Sequence, residues 1–151
     1  MMEYLEGVKK AKTLEIGELL LQAEGTEVKV NGAVHTIRDM GNVAFVILRK
    51  RDGLVQCVFE EGVTAFDLKE LKEASAVEVL GTIRKEERAA HGIEIRLKEI
   101  KVLSEPDEPL PLPISKWKLN TSLEAKLNMR PISLRNVRER AKFKVQEGLV
   151  R

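Results

Sequence analysis

VKVNGAVHTIRDMGNVAFVILRKRDGLVQCVF, residues 28–59, is the stretch whose reading decides the fold. Its first segment, VKVNGAVHTI, alternates and is rich in β-branched residues. VAFVILR is an almost unbroken apolar run and LVQCVF follows one turn later, so all three read as strands. The joins are short and carry turn chemistry: Arg38-Asp39-Met40-Gly41-Asn42, then Lys50-Arg51-Asp52-Gly53. Asp-Gly between two β-rich runs is a strong hairpin signal. The stretch predicts a three-stranded antiparallel meander.

Downstream, GVTAFDLKELKEAS sets Phe66, Leu68 and Leu71 at near-helical spacing. AVEVLGTIRKE then alternates over Val77, Val79 and Gly81, and HGIEIRLKEIKVL over Ile93, Ile95 and Leu97, as fourth and fifth strands. Three meandering strands, a helix and two more strands are the order of a five-stranded OB-fold Greek-key barrel, with its helix between strands 3 and 4. The fold class is all-β with minor α. Upstream, Leu14, Ile16, Leu19, Leu20 and Leu21 predict a short N-terminal helix, ended near Gly25, that serves as a lid or plug on the barrel.

Four of the five prolines fall between Ser104 and Pro113, a run that cannot be helix or central strand and marks a boundary. The expected division is 1–25 as an N-terminal helical extension, 26–104 as the barrel, 105–118 as a Pro-rich hinge and 119–151 as a C-terminal helical extension. In the last part Val137, Ala141, Val145 and Leu149 recur every four residues, one apolar stripe on a helix with basic residues around it. A helix that runs to Arg151 without a cap reads as the truncated start of another domain.

Charge narrows the function classes. Residues 1–114 carry 16 Lys and Arg against 21 Asp and Glu, while residues 115–151 carry 10 against 3. The barrel is thus no general polyanion binder, and any such contact there needs a local patch. No apolar run approaches the roughly 20 residues that span a bilayer. MMEYLEGVKKAK lacks an apolar signal core, and the single Cys57 cannot form an internal disulfide, so a cytoplasmic location is expected. His35 and His91 have no ligand-spaced partners, and neither a phosphate-cradling Gly-rich loop nor a Ser/His/Asp constellation is visible.

VHTIRDMGNVAFVILRKRDGLVQ closely resembles the N-terminal anticodon-binding domain of aspartyl-tRNA synthetases, especially the archaeal type. GTIRKEERAAHGIEIRLKEIKVLSE resembles the end of the same barrel. EPLPLPI with LNTSLEAKLNMRPISLR resembles the hinge and the segment leading into the class II catalytic domain, whose first signature helix KFKVQEGLVR resembles in turn. Two departures are Ala33, where many relatives carry Trp, and Met129-Arg130-Pro131 in the hinge segment. The resemblance implies tRNA anticodon recognition by an OB-fold, with the aspartate tRNA anticodon stem-loop as partner and asparagine tRNA also in range. The fragment itself would carry no catalytic residue and no cofactor. A parent aspartate–tRNA ligase would supply ATP and Mg²⁺ chemistry and a homodimer from its catalytic domain.

The same resemblance assigns the site. Phe45 shares one face of its strand with Val43, Ile47 and Arg49; the strand is apolar on both faces, so periodicity alone leaves Phe45 open between core residue and exposed ring. By resemblance it is the platform on which an anticodon base stacks. Gln56, a carboxamide inside an apolar strand, reads the central uridine with its paired donor and acceptor. Arg38, at the first turn, holds phosphate or a base edge, and Arg84 and Glu94 fall around the first anticodon base. His35 belongs to the same tRNA-facing set, and Arg49, with Lys50 and Arg51, forms a basic hairpin tip able to position the backbone. An asparaginyl-tRNA synthetase domain, a free-standing single-strand binder and a protein-interaction barrel remain as other uses of this fold.

Overall fold

The computed structural model describes residues 13–151. Five strands form a closed barrel in the order β1-β2-β3-β5-β4: β1 Glu27–Asp39, β2 Val43–Arg49, β3 Leu54–Glu60, β4 Ala76–Lys85 and β5 Ile93–Ser104. β1, β2 and β3 pair antiparallel, which is the expected meander. The last gap is closed by a short parallel seam between β3 and β5. The turn at Asp39–Gly41 works as its residue types suggest. The Asp39 carboxylate accepts the Gly41 N–H at 2.9 Å, and Gly41 takes a φ of +93°, which a side chain would resist.

The barrel interior follows strand parity. Ala44, Val46 and Leu48 point inward from β2, Val77, Val79 and Ile83 from β4, and Ile93, Ile95 and Leu97 from β5, all buried. β1 breaks its alternation once. A bulge between Val34 and Thr36 buries both Val34 and His35, and beyond it Ile37 packs on the core while Thr36 and Arg38 turn outward. Cys57 is fully buried; burial, and then the Glu94 carboxylate, push its thiol up to about 12.

The plug is real but short. Helix α1 spans Ile16–Leu19, with Ile16 and Leu19 in the barrel core. The Asp52 carboxylate of the β2–β3 hairpin accepts the Ile16 N–H at 2.9 Å and fastens the plug. The part of the expected N-terminal extension before Thr13 lies outside the described residues. The helix expected between β3 and β4 shrinks to a single 3-10 turn, Leu68–Glu70. Asp67 caps it by accepting the Lys69 N–H, but Leu71 is already extended and buried in the core. Burial of Leu71 in the barrel wins over continued helix.

Beyond β5 the proline run is irregular, bent at Asp107-Glu108 and Pro111-Leu112, and is followed by α2 Leu123–Asn128, α3 Arg130–Ser133 and α4 Val137–Val150. Leu112, Ile114 and Leu119 make a small second core with Leu110 and Ile132. Asn136, 2% exposed, locks it. Its Nδ2 donates to the carbonyls of Ile114 and Lys116 at 2.9 and 2.7 Å, and its Oδ1 caps α4 by accepting the Arg138 and Glu139 N–H groups. The α4 residues Val137, Val145 and Leu149 are exposed.

Gly81 sits where the β4–β5 register shifts, and a Cβ there would collide with the Arg96 carbonyl and lie 2.6 Å from Ile95 Cγ2. Gly81→Ala is expected to lower stability by about 1–3 kcal/mol, read from the urea midpoint.

Candidate nucleic-acid interface

Because the β1 bulge resets parity, the strand registers place side chains in two transverse rows on the outer face of the barrel. One row runs Thr36, Ile47, Gln56, Glu94, Arg84 across β1, β2, β3, β5 and β4. The next runs Arg38, Phe45, Val58, Arg96, Thr82. Phe45 is half-buried with Arg38 opposite it on one side and Val58 on the other. Arg38 therefore lies in β1 itself, two residues short of the turn residue Met40, and is exposed. The β1–β2–β3 surface presents an aromatic ring between a cation and an aliphatic residue.

Gln56 and Glu94 meet across the parallel seam. Glu94 is only 4% exposed although it faces outward, because its neighbours cover it. Gln56 Nε2 donates to Glu94 Oε2 at 3.2 Å, and the Arg84 guanidinium sits 3.7 Å from Glu94 Oε1. An ionised carboxylate can only accept, so the amide must offer it an N–H. That choice leaves Gln56 its Oε1 and the second Nε2 proton for a ligand, an acceptor beside a donor. Next to Val58, Arg96 closes a bidentate pair with Glu60, at 3.0 and 2.7 Å.

A depression of about 200 Å³ adjoins the first row and is lined by His35, Thr36, Arg38, Ile47, Leu54, Gln56 and Ala90. It brings together three of the expected residues, His35, Arg38 and Gln56, with Glu94 and Arg84 behind Gln56. Thr36, Ile47, Leu54 and Ala90 were not singled out by sequence. Ile47 shares the Phe45 face and could have been; Thr36 needs knowledge of the bulge, and Ala90 arrives from the 3-10 turn between β4 and β5.

His35 is 5% exposed and its Nδ1 has no hydrogen-bond partner. Burial, and then the Arg49 guanidinium, lower its pKa, against a smaller opposing pull from Glu73. It is a neutral wall of the depression. Not all of the basic hairpin tip is free to position a backbone. Lys50 is 6% exposed with Nζ donating to the Asn31 carbonyl at 2.8 Å and to Asn31 Oδ1 at 3.5 Å, with the Glu15 carboxylate 4.0 Å away. Arg49 stands apart from the depression and lines a cavity with Arg135 and Arg140. Among the described residues no group of three or more His, Cys, Asp or Glu is placed to hold a metal, and no helix is long and apolar enough to cross a membrane.

Residues 28–103 match the tRNA anticodon family model, described as an OB-fold nucleic acid binding domain. The chain is similar to the aspartate–tRNA(Asp/Asn) ligase of Saccharolobus solfataricus, at 33% identity over 93% of this chain and 33% of that protein. It is also similar to the aspartate–tRNA(Asp/Asn) ligase of Deinococcus radiodurans, at 39% identity over 87% of this chain and 29% of that protein. Among solved structures, asparaginyl-tRNA synthetase from Pyrococcus horikoshii superposes with a TM-score of 0.76 at 26% identity, over 93% of this chain and 32% of that one. The chain spans about a third of the length of the curated relatives it matches.

Two outcomes follow from the wiring of this face. Glu94→Ala leaves the half-buried Gln56 amide without its acceptor and is expected to cost about 1 kcal/mol in urea unfolding. The unfolded chain protonates His35 below about pH 6.5 while the folded barrel resists it. Stability should therefore be full above that pH and fall as pH drops toward the depressed native pKa. His35→Gln removes that component, seen as a smaller loss of urea midpoint between pH 7.5 and 5.5.

Proposed function

The chain belongs to the tRNA anticodon family of OB-fold nucleic acid binding domains, and on that premise we propose that its outer barrel face reads the anticodon loop of aspartate tRNA as part of an aspartate–tRNA ligase. The observation that carries this reading is the pair of transverse rows, which sets a half-buried ring, a clamped carboxamide and three guanidiniums, those of Arg38, Arg84 and Arg96, on one outward surface beside a shallow depression. Single-stranded loops are recognised by that combination, since splayed bases offer a π-face to an aromatic ring and an edge to a fixed amide.

The roles divide by chemistry. Phe45 is the stacking platform. Gln56 meets the central uridine, whose N3–H faces Oε1 while a uridine carbonyl accepts the free Nε2 proton. Glu94 holds the amide in that orientation and, with Arg84, borders the first anticodon base. Arg38 pairs with phosphate or a base edge beside Phe45, and His35 closes the depression as a neutral wall. With residues 1–114 net negative, affinity has to come from these contacts rather than from a general field.

The division into an extension 1–25, a barrel 26–104, a hinge 105–118 and the start of a catalytic domain from 119 is part of the same proposal. In it the longer protein activates aspartate with ATP and Mg²⁺, esterifies tRNA as a homodimer and works in the cytoplasm. The names of the curated relatives, which cover both aspartate and asparagine tRNA, support a target range that includes asparagine tRNA. The likeness to an asparaginyl-tRNA synthetase favours asparagine charging as the second reading.

The test is a titration of the 151-residue chain with aspartate and asparagine anticodon stem-loops at fixed salt. Phe45→Ala is expected to weaken binding by about 1–3 kcal/mol without moving the urea midpoint far. Gln56→Ala should weaken binding to a similar extent and also lower the midpoint, because it takes the amide donor from the buried Glu94 carboxylate. Equal affinity for a stem-loop whose central uridine is replaced would overturn the reading.

A further inference from the structure

A cavity of about 190 Å³ lies between the β2–β3 hairpin and α4, and Arg49, Lys50, Arg51, Arg135, Arg140 and Lys144 line it with Asp52 as the one carboxylate. Asp52 is already engaged, because its Oδ2 accepts the backbone N–H groups of Ile16 and Gly17 at 2.9 and 3.4 Å. Lys50 is engaged at the Asn31 carbonyl. Five cations are left, and among the described residues none of them has a carboxylate within ion-pair distance. Arg49 Nη1 is buried with no hydrogen-bond partner. Burial, and then the guanidiniums of Arg135 and Arg140, lower the Arg49 pKa from its ordinary value.

A buried, forked donor facing like charges is unfavourable until an anion completes it. The fork geometry of arginine matches a phosphate with two parallel N–H···O bonds. The cavity has the volume of about six waters in the liquid, enough for a tetrahedral phosphate and its remaining hydration.

Position identifies the source of the phosphate. Phe45, Ile47 and Arg49 alternate on the outward side of β2, so Arg49 lies about 13 Å along the strand from the ring, four residues at about 3.3 Å each. A nucleic-acid strand with a base on Phe45 carries its backbone past this hairpin within a few nucleotides. We propose that the cavity is a phosphate site, formed jointly by the barrel hairpin and α4, that holds a backbone phosphodiester of the RNA strand leaving the Phe45–Gln56 face. The proposal rests on the reading of that face given above.

The experiment uses the whole 151-residue chain and the double variant Arg140→Gln/Lys144→Gln, whose changes lie on the partly exposed α4. Inorganic phosphate is titrated while the Arg49 Nε–H resonance is followed by nitrogen-resolved NMR. A saturable shift in the parent chain that the double variant lacks is expected; a drift that never saturates, or one the variant retains, would overturn the site. Stem-loop binding is then measured across salt. The double variant should bind about tenfold more weakly, to the same extent for the matched loop and for one with its central uridine replaced, with the salt slope reduced by about 1. Unchanged affinity and slope, alongside a saturable phosphate shift, would overturn the RNA assignment and leave a site for free phosphate. If the parent chain binds both loops equally, the anticodon reading fails, while loss of affinity in the double variant still supports the phosphate site.

Discussion

The barrel depends on a seam three residue pairs wide. β3 and β5 meet in parallel only at Gln56 with Glu94, Cys57 with Ile95 and Val58 with Arg96. Inside, Cys57 and Ile95 are both fully buried. Outside, Gln56 bridges to Glu94 and Glu60 bridges to Arg96. The groups we propose to meet a nucleotide are therefore also the groups that stitch the last gap, so a polar clamp sits beside an otherwise apolar wall. A recognition surface built on a closure seam is rigid, since its rotamers are held by the partners that close the barrel.

Much of this was legible in the sequence where the physics is local. Alternation in AVEVLGTIRK and IEIRL assigned inside and outside correctly on β4 and β5, and Asp39–Gly41 and Asp52-Gly53 marked the turns. Phe45 was ambiguous because both faces of its strand are apolar, and only the barrel's closure separates them. What escaped is non-local. The bulge at Val34 and His35 answers to the bend of the closed sheet, and it alone decides that Thr36 and Arg38 look outward. Lys50 reads as a solvated charge until the Asn31 carbonyl, nineteen residues away, is placed within reach of its ammonium. The 3-10 turn at Leu68–Glu70 is short because Leu71 belongs to the core, a fact that helical spacing cannot express.

The proline strap and α4 are joined through polar geometry. Asn136 ties the proline strap to the start of α4 with both halves of its amide, and Arg135 and Arg140 then face the β2–β3 hairpin. This arrangement fixes the start of α4 against the strap while leaving Val145, Leu149 and Val150 uncovered. Orientation and burial are separate matters here, the first supplied by an amide and the second by whatever packs on α4.

Cys57 turns the seam into its own reporter. The thiol is the chain's single cysteine, lies midway along the three closing pairs, and has its ionisation suppressed in the folded state. A thiol-labelling reagent can reach it only when the core opens around β3, by parting it from β5 or from β2, where Cys57 faces Val46. Where reclosing outpaces labelling, the native-state rate, divided by that of an unfolded peptide, gives the equilibrium constant for that opening. RNA that braces Gln56 against Glu94 would slow that chemistry, so occupancy outside the wall could be timed by a reaction within it.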